Sequence, residues 1–368
     1  MTDQFTSPDQ YQSLLEQKIQ KVKALFSAYN MPEMDVFESP KQHYRMRTEF
    51  KIWHEGTETY FAMHQPGEKS KPFKVETFSV ANELINRAMP LLITHITPNE
   101  LLKRKLFQCE FLSTLTDELL ITLIYHKPLN EEWIEQAKQL KAELSNLLNC
   151  QVDIIGRSRK QKIVLDRDFV FETLTVNERK FTYQQLEGGF TQPNAQVCEK
   201  MLTWAVDATR NNSGDLLELY CGNGNFTLPL SQNFNRVLAT EIAKSSVQAA
   251  HKNIEMNQVD NIEIARLSSE ELVQALNGVR EFRRLREIDL QKFEFSTVFV
   301  DPPRAGLDPA TVEFVAKFDE ILYISCNPTT LEQNLASLSK THTATQFALF
   351  DQFPYTDHIE CGVKLVRK

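Results

Sequence analysis

The chain has 368 residues, 42% hydrophobic and 24% charged, which is enough apolar material for two separate cores. Its formal net charge of −8 excludes a uniformly basic nucleic-acid binder. No apolar run approaches membrane-spanning length and no basic-then-apolar leader opens the chain, so a cytoplasmic protein without membrane association is expected.

The charge is unevenly spread. Residues 1–180 carry 24 Lys/Arg and 25 Asp/Glu, whereas residues 181–368 carry 17 and 24, so the first half is the less acidic one. Local basic patches, more than the total, decide contact with a polyanion. The six cysteines show neither CxxC spacing nor a Cys/His cluster, so no metal site and no iron–sulfur cluster is expected. A disulfide framework is not expected either.

Ser7-Pro8-Asp9-Gln10 has the form of a capping box. It predicts a helix with the stripe Tyr11, Leu14, Leu15, Ile19, Val22, Leu25 and Phe26. Residues 30–40 read as a linker. YRMRTEFKIWH and TYFAM read as strands around a turn at Gly56, with Arg45, Arg47, Glu49 and Lys51 alternating onto one face. Lys69, Lys71 and Lys74 follow. Residues 80–92 predict a helix broken near Pro90. Thr97-Pro98-Asn99-Glu100 is read as a second capping box, opening a short helix that ends in Lys103-Arg104-Lys105.

FQCEFLST and LLITLIYH predict strands, residues 130–148 an amphipathic helix, and three further strands lie near 152–155, 162–165 and 169–174. Arg157, Arg159 and Lys160 stand between the first two of these. The first half thus reads as α+β with a largely antiparallel sheet. Its basic clusters have two readings: solvated surface, or phosphate contact with RNA in which Tyr44, Trp53 and Phe107 offer stacking.

Near Phe181 the character changes. A helix bearing Val197, Met201, Leu202 and Ala205 is followed by the apolar run 215–220 and then Cys221-Gly222-Asn223-Gly224-Asn225. Val237–Thr240 is a second strand with Glu241 at its end, and residues 262–265 suit a third. Strand, Gly-turn, helix, strand and acid open a doubly wound nucleotide-binding sheet. Glycines let the backbone approach a ligand, and an acid 19 residues past Gly222 suits ribose hydroxyls. A GxG turn fits NAD or S-adenosylmethionine. Phe226-Thr227 stands where a dinucleotide pyrophosphate needs the third glycine, which favours S-adenosylmethionine.

Two more apolar runs, at 297–300 and 321–324, end in Asp301-Pro302-Pro303-Arg304 and Ser325-Cys326-Asn327-Pro328. With a helical stretch between them they predict parallel neighbours, which puts a carboxylate and a thiol at one sheet edge. A strand-end thiolate is a candidate nucleophile, and the helix after Pro328 is expected to help lower its pKa from about 8.5. Cys221 and Cys361 compete for that role. Toward the C-terminus, two β-like runs flank a polar loop carrying His358 and Glu360, both candidate general bases.

The combination LELYCGNGNF, ATEIAKSSVQAA, FVDPPRAGL, YISCNP and FPYTDHIECGV resembles the RNA uracil-C5 methyltransferase family, closest to its bacterial tRNA branch. HYRMRTEFKIWH, KLFQCEFLSTL and FTQPNA extend the resemblance over nearly the whole chain. It implies a Rossmann-like S-adenosylmethionine-dependent methyltransferase domain over 181–368. That domain is a doubly wound α/β sheet with an antiparallel C-terminal strand. It also implies an α+β RNA-binding domain with a leading helix over 1–180. Cys326 is then the nucleophile toward uracil C6, and Glu360 the acceptor of the C5 proton. Gln192, Tyr220, Asn225, Glu241 and Asp301 fall on the family's cofactor positions. The implied substrate is a uridine in the T-arm of tRNA, with Arg45, Arg47, Lys103 and Arg104 as candidate RNA contacts; no protein partner is inferred. Related ribosomal-RNA enzymes carry an N-terminal cysteine set for an iron–sulfur cluster and often a leading β-barrel. Here the first cysteine is Cys109, so the tRNA substrate leads. A ribosomal-RNA enzyme of the same mechanism, an RNA-folding factor and an NAD-linked oxidoreductase are the alternatives.

Overall fold

The computed structural model describes residues 6–64 and 72–368, so Lys69 and Lys71 lie outside the described residues. The chain forms two compact units, but no single cut separates them. One comprises residues up to Pro8, Pro40–Thr173 and Gln184–Ala195; the other comprises Asp9–Ser39, Leu174–Tyr183 and Gln196–Lys368. A boundary at 180/181 would fall inside the strand Arg179–Leu186. That strand pairs with Phe169–Val176 across a turn in which Asn177 (φ 47°) and Glu178 (φ 68°) are both left-handed, the geometry of a tight hairpin.

The leading helix, Tyr11–Leu25, belongs to the second unit and not to the first. Its stripe decides this: Tyr11, Leu15 and Val22, with Phe26 just beyond, are buried in the second unit's core. Phe26 meets Phe347 edge-on at 5.2 Å. Each such side chain contributes about 1.5–3 kcal/mol when fully buried. The expected capping box does not form, since residues 8–10 make a turn and Gln10 caps with no side-chain bond. The linker also holds a strand, Met34–Phe37, which pairs in parallel with His342–Phe350. Four residues at a sheet edge are too few to show an alternating pattern.

The second unit is built on an eight-stranded sheet. Its spatial order is Met34–Phe37, His342–Phe350, Glu360–Arg367, Glu320–Ser325, Phe295–Val300, Asp215–Leu219, Val237–Thr240 and Ile262–Ala265. Glu360–Arg367 runs antiparallel to both neighbours, and the other pairings are parallel. From Asp215–Leu219 the chain first winds outward through the next two strands, then returns to Phe295–Val300 on the other side. That reversal is the switch point beside which α/β sheets bind ligands.

The first unit holds a seven-stranded sheet in the order Phe73–Val75, Glu58–Met63, Arg47–Glu55, Leu106–Ser113, Glu118–Tyr125, Gln151–Ser158, Gln161–Val164. It is antiparallel except between Glu118–Tyr125 and Gln151–Ser158, which the helix Glu131–Leu148 joins as a crossover. The helix Glu83–Ile96 continues through Pro90 and does not break there. Asn99 alone caps Glu100–Lys103, accepting from Leu101 N and Leu102 N, so the second capping box also does not form.

Gly156 shows how closely the first unit is packed. A Cβ there would clash with Cη2 of the fully buried Trp133. Gly156→Ala is therefore expected to destabilise this unit by about 1–3 kcal/mol through overpacking. A urea-unfolding midpoint equal to wild type would contradict that packing.

Candidate active site

Parallel strands place their carboxyl ends on one edge, and an antiparallel strand begins there. Tyr220, Glu241, Asp301 and Cys326 each directly follow a parallel strand, while Glu360 opens the antiparallel one. Register fixes the neighbours. Val300 pairs with Tyr323, Ser325 with Cys361, and Glu360 with Phe350. Thiol and carboxylates are thus gathered on adjacent strand ends of one unit. Gln192 belongs to the other unit.

The cofactor-type turn is tightly wired. Tyr220, Gly222 and Gly224 all have positive φ. The Glu241 carboxylate accepts from Gly222 N at 3.1 Å and from Ala243 N at 2.7 Å. The Tyr220 hydroxyl donates to Ser269 Oγ at 2.9 Å. The Asn225 carbonyl accepts from the Tyr183 hydroxyl at 2.9 Å, and its side-chain amide donates to Cys198 Sγ at 3.4 Å.

The thiol sits in a loop held by its own neighbours. Asn327 N donates to Ser325 Oγ at 3.2 Å, and Asn327 Nδ2 donates to the Arg304 carbonyl at 3.0 Å, tying the two strand-end loops together. Asn327 also caps the helix Pro328–Leu338. Cys326 is half-buried, whereas Cys221 and Cys361 are buried at 4% and 0% exposure, so Cys326 is the most accessible of the three thiols. Glu360 is buried and His358 exposed two residues earlier.

The electrostatics run against the expected lowering of the thiol pKa. Burial, then Glu360 and Asp301, push Cys326 up to about 11, opposed by Arg304. Burial and Asp301 also hold the Glu360 carboxyl well above the usual carboxylate range. Burial alone lifts Asp301 to about 7. The start of one helix does not outweigh two neighbouring acids and lost hydration.

Two further groups bear on the site. Glu218, buried on the Asp215–Leu219 strand, is raised to about 8 by burial, with Asp301 contributing. An acid inside the apolar run LLELY was its signal. Arg304 is exposed beside the thiol and follows directly on the prolines of DPPR.

The candidate RNA contacts of the first unit fare unevenly. The Arg47 guanidinium donates to the carbonyls of Glu187 at 2.5 Å and Gly189 at 2.9 Å, so it holds a turn instead of facing a phosphate. Arg45 Nε donates to the Arg47 carbonyl at 2.9 Å. Lys103 is paired with Glu100 at 3.8 Å, and Arg104 is exposed. Tyr44 is buried and offers no stacking face. Phe107 is half-buried and stacks on His126, with ring centroids 3.7 Å apart and Lys51 Nζ 5.7 Å from the Phe107 centroid. Trp53 is exposed. Arg157 is spent on Glu187, whereas Arg159 and Lys160 are exposed. Among the described residues no helix is long and apolar enough to cross a membrane, and no group of three or more His, Cys, Asp or Glu side chains is placed to hold a metal ion.

The family model described as tRNA (uracil-5-)-methyltransferase matches residues 10–368. A tRNA/tmRNA (uracil-C(5))-methyltransferase of Saccharophagus degradans is 58% identical over 363 residues, 98% of each chain. One of Vibrio parahaemolyticus is 55% identical over 364 residues, again 98% of each. The crystal structure of Pyrococcus abyssi tRNA (uracil-54, C5)-methyltransferase, in complex with S-adenosyl-L-homocysteine, shares the fold. It has a TM-score of 0.71 at 22% identity, covering 97% of this chain and 83% of that one. The chain belongs to the tRNA (uracil-5-)-methyltransferase family.

Proposed function

We propose that this protein transfers a methyl group from S-adenosylmethionine to C5 of a uridine in the T-arm of tRNA, in the cytoplasm. The observation that carries the reading is a half-buried thiol and a buried carboxyl on adjacent strand ends, Cys326 and Glu360, in a chain of this family.

The residues present fit the cofactor. A Cβ on Gly222 would meet no atom within 4 Å, which leaves its side of the turn open for close approach. Glu241 offers a carboxylate at the next strand end, suited to ribose hydroxyls. Tyr220, Asn225 and Asp301 would complete the cradle, and Gln192 is assigned by resemblance alone. When bound, S-adenosylmethionine supplies an electrophilic methyl group and one positive charge.

The half-buried Cys326 thiol loses its proton to water, and its sulfur bonds to C6 of the uracil. The C5–C6 π electrons move toward C5, making it the nucleophile for the methyl group. Glu360 then takes the C5 proton, the C5–C6 double bond re-forms, and the C6–S bond breaks to release the thiolate. C5 carries no acidic proton until C6 is saturated, so the base acts second. The target base must leave its stack to reach the thiol.

Both carboxyls and the thiol are held toward their neutral forms, so a cationic ligand stabilises their ionised ones. Asp301 is neutral at low pH and ionises through about 7. The affinity ratio of S-adenosylmethionine over S-adenosylhomocysteine, which lacks the sulfonium charge, is therefore expected to rise about tenfold between about pH 6 and 8.5, roughly one pKa unit of differential interaction. Calorimetric titration checks it, and a flat or falling ratio would contradict this account of the site. Substrate choice is tested by labelled methyl transfer to tRNA and ribosomal RNA side by side. Label is expected in tRNA at the T-arm uridine; preferential labelling of ribosomal RNA would overturn the substrate.

A further inference from the structure

The proposed base is delivered by the loop at residues 351–359, between the strands His342–Phe350 and Glu360–Arg367. The leading helix grips that loop from more than 300 residues away in sequence. Lys18, with only 8% of its side chain exposed, donates from Nζ to Asp351 Oδ1 at 2.7 Å and to the Phe353 carbonyl at 2.8 Å. Asp351 is buried too, and its backbone N–H donates to the Phe37 carbonyl at 3.0 Å. Tyr11, two turns before Lys18 on the same helix face, lies edge-on to Tyr355 with ring centroids 6.0 Å apart. The Tyr11 hydroxyl accepts from Ser39 N at 2.8 Å.

Stability alone does not account for this arrangement. A buried ion pair roughly breaks even against well-packed apolar residues, because desolvation offsets the attraction. What the pair adds is a fixed position. Lys18 binds one side chain and one main-chain carbonyl at the start of the loop. Strand register with Phe350 then sets where Glu360 stands at its end.

We infer that Lys18 is a positioning residue for the deprotonation step: through Asp351 and Phe353 it sets the loop that carries Glu360. The inference rests on Glu360 being the base. It predicts a defect confined to one step, since thiol addition and methyl transfer do not use Glu360.

The test uses the full chain and three variants. Lys18→Met/Asp351→Asn removes both charges together, so no lone buried charge remains. Lys18→Gln keeps an uncharged donor and decides the matter if the double variant fails to fold. Glu360→Gln is the control. With tRNA, turnover by the Lys18 variants is expected to fall roughly ten- to a hundred-fold, as for a misplaced catalytic group. A denaturation-stable methylated protein–RNA adduct should accumulate. With 5-fluorouridine RNA, whose adduct cannot lose fluorine as a cation, adduct formation should stay within about twofold of wild type, because that rate precedes the base. If Glu360→Gln accumulates the adduct but the Lys18 variants do not, or if they slow trapping as much as turnover, the Lys18 inference is overturned and the base stands. If Glu360→Gln itself accumulates none, the base assignment fails first.

Discussion

Cys326→Ala is expected to lower methyl transfer to tRNA by at least about 10⁴-fold, the scale seen when a covalent nucleophile is removed. Cofactor binding should stay close to wild type, since the Gly-turn and Glu241 are untouched. No other thiol at this edge is placed to substitute. Cys221 and Cys361 are buried, and burial together with neighbouring acids holds both far toward the protonated form. Cys326 is itself raised, to about 11, so the reactive thiolate is a minor form until the site is filled. Single-turnover transfer of labelled methyl measures the loss. Residual activity near a tenth of wild type would mean that C6 addition does not go through this sulfur.

Glu360→Gln is expected to separate the proposed removal of the C5 proton from the methyl transfer before it. Its carboxyl is buried and pushed up by burial and Asp301, which suits a group that accepts and holds a proton. A glutamine in the same place cannot accept one. Multiple turnover is expected to fall by about 10²–10⁴-fold, the usual contribution of general acid–base catalysis. Methylation should proceed to about one equivalent per enzyme and then stall as a covalent complex. His358 is exposed two residues away and is not expected to rescue the variant. Sustained turnover by Glu360→Gln, measured as product beyond one equivalent, would reassign the base.

The sheet edge was legible because its signals are local. Apolar runs of strand length end in Asp301, Cys326 and Glu241, and strand–helix–strand alternation makes the runs parallel, so their ends coincide. The short strand Met34–Phe37 was not legible, since its partner lies over 300 residues away and its own pattern is weak. The leading helix shows the same limit. Its stripe predicts burial but not which core receives it, and here it is the core of the second unit.

Electrostatics were the least readable part. A helix start after Pro328 suggested a lowered thiol pKa, but the sum over burial, Glu360 and Asp301 has the opposite sign. Arg47 is a similar case: alternation puts it on one face with Arg45, Glu49 and Lys51, yet its guanidinium is spent on carbonyls contributed by a segment 140 residues further on. Lys18 stands in the same stripe, between Leu15 and Val22, but a lysine on an amphipathic helix ordinarily carries its charge to water, so its burial was not legible.

The covalent mechanism is tested most directly with a T-arm RNA carrying 5-fluorouridine at the target position, incubated with S-adenosylmethionine and resolved under denaturing conditions. A stable protein–RNA complex is expected with the wild-type chain and none with Cys326→Ala. A complex of equal yield with Cys326→Ala would contradict that mechanism.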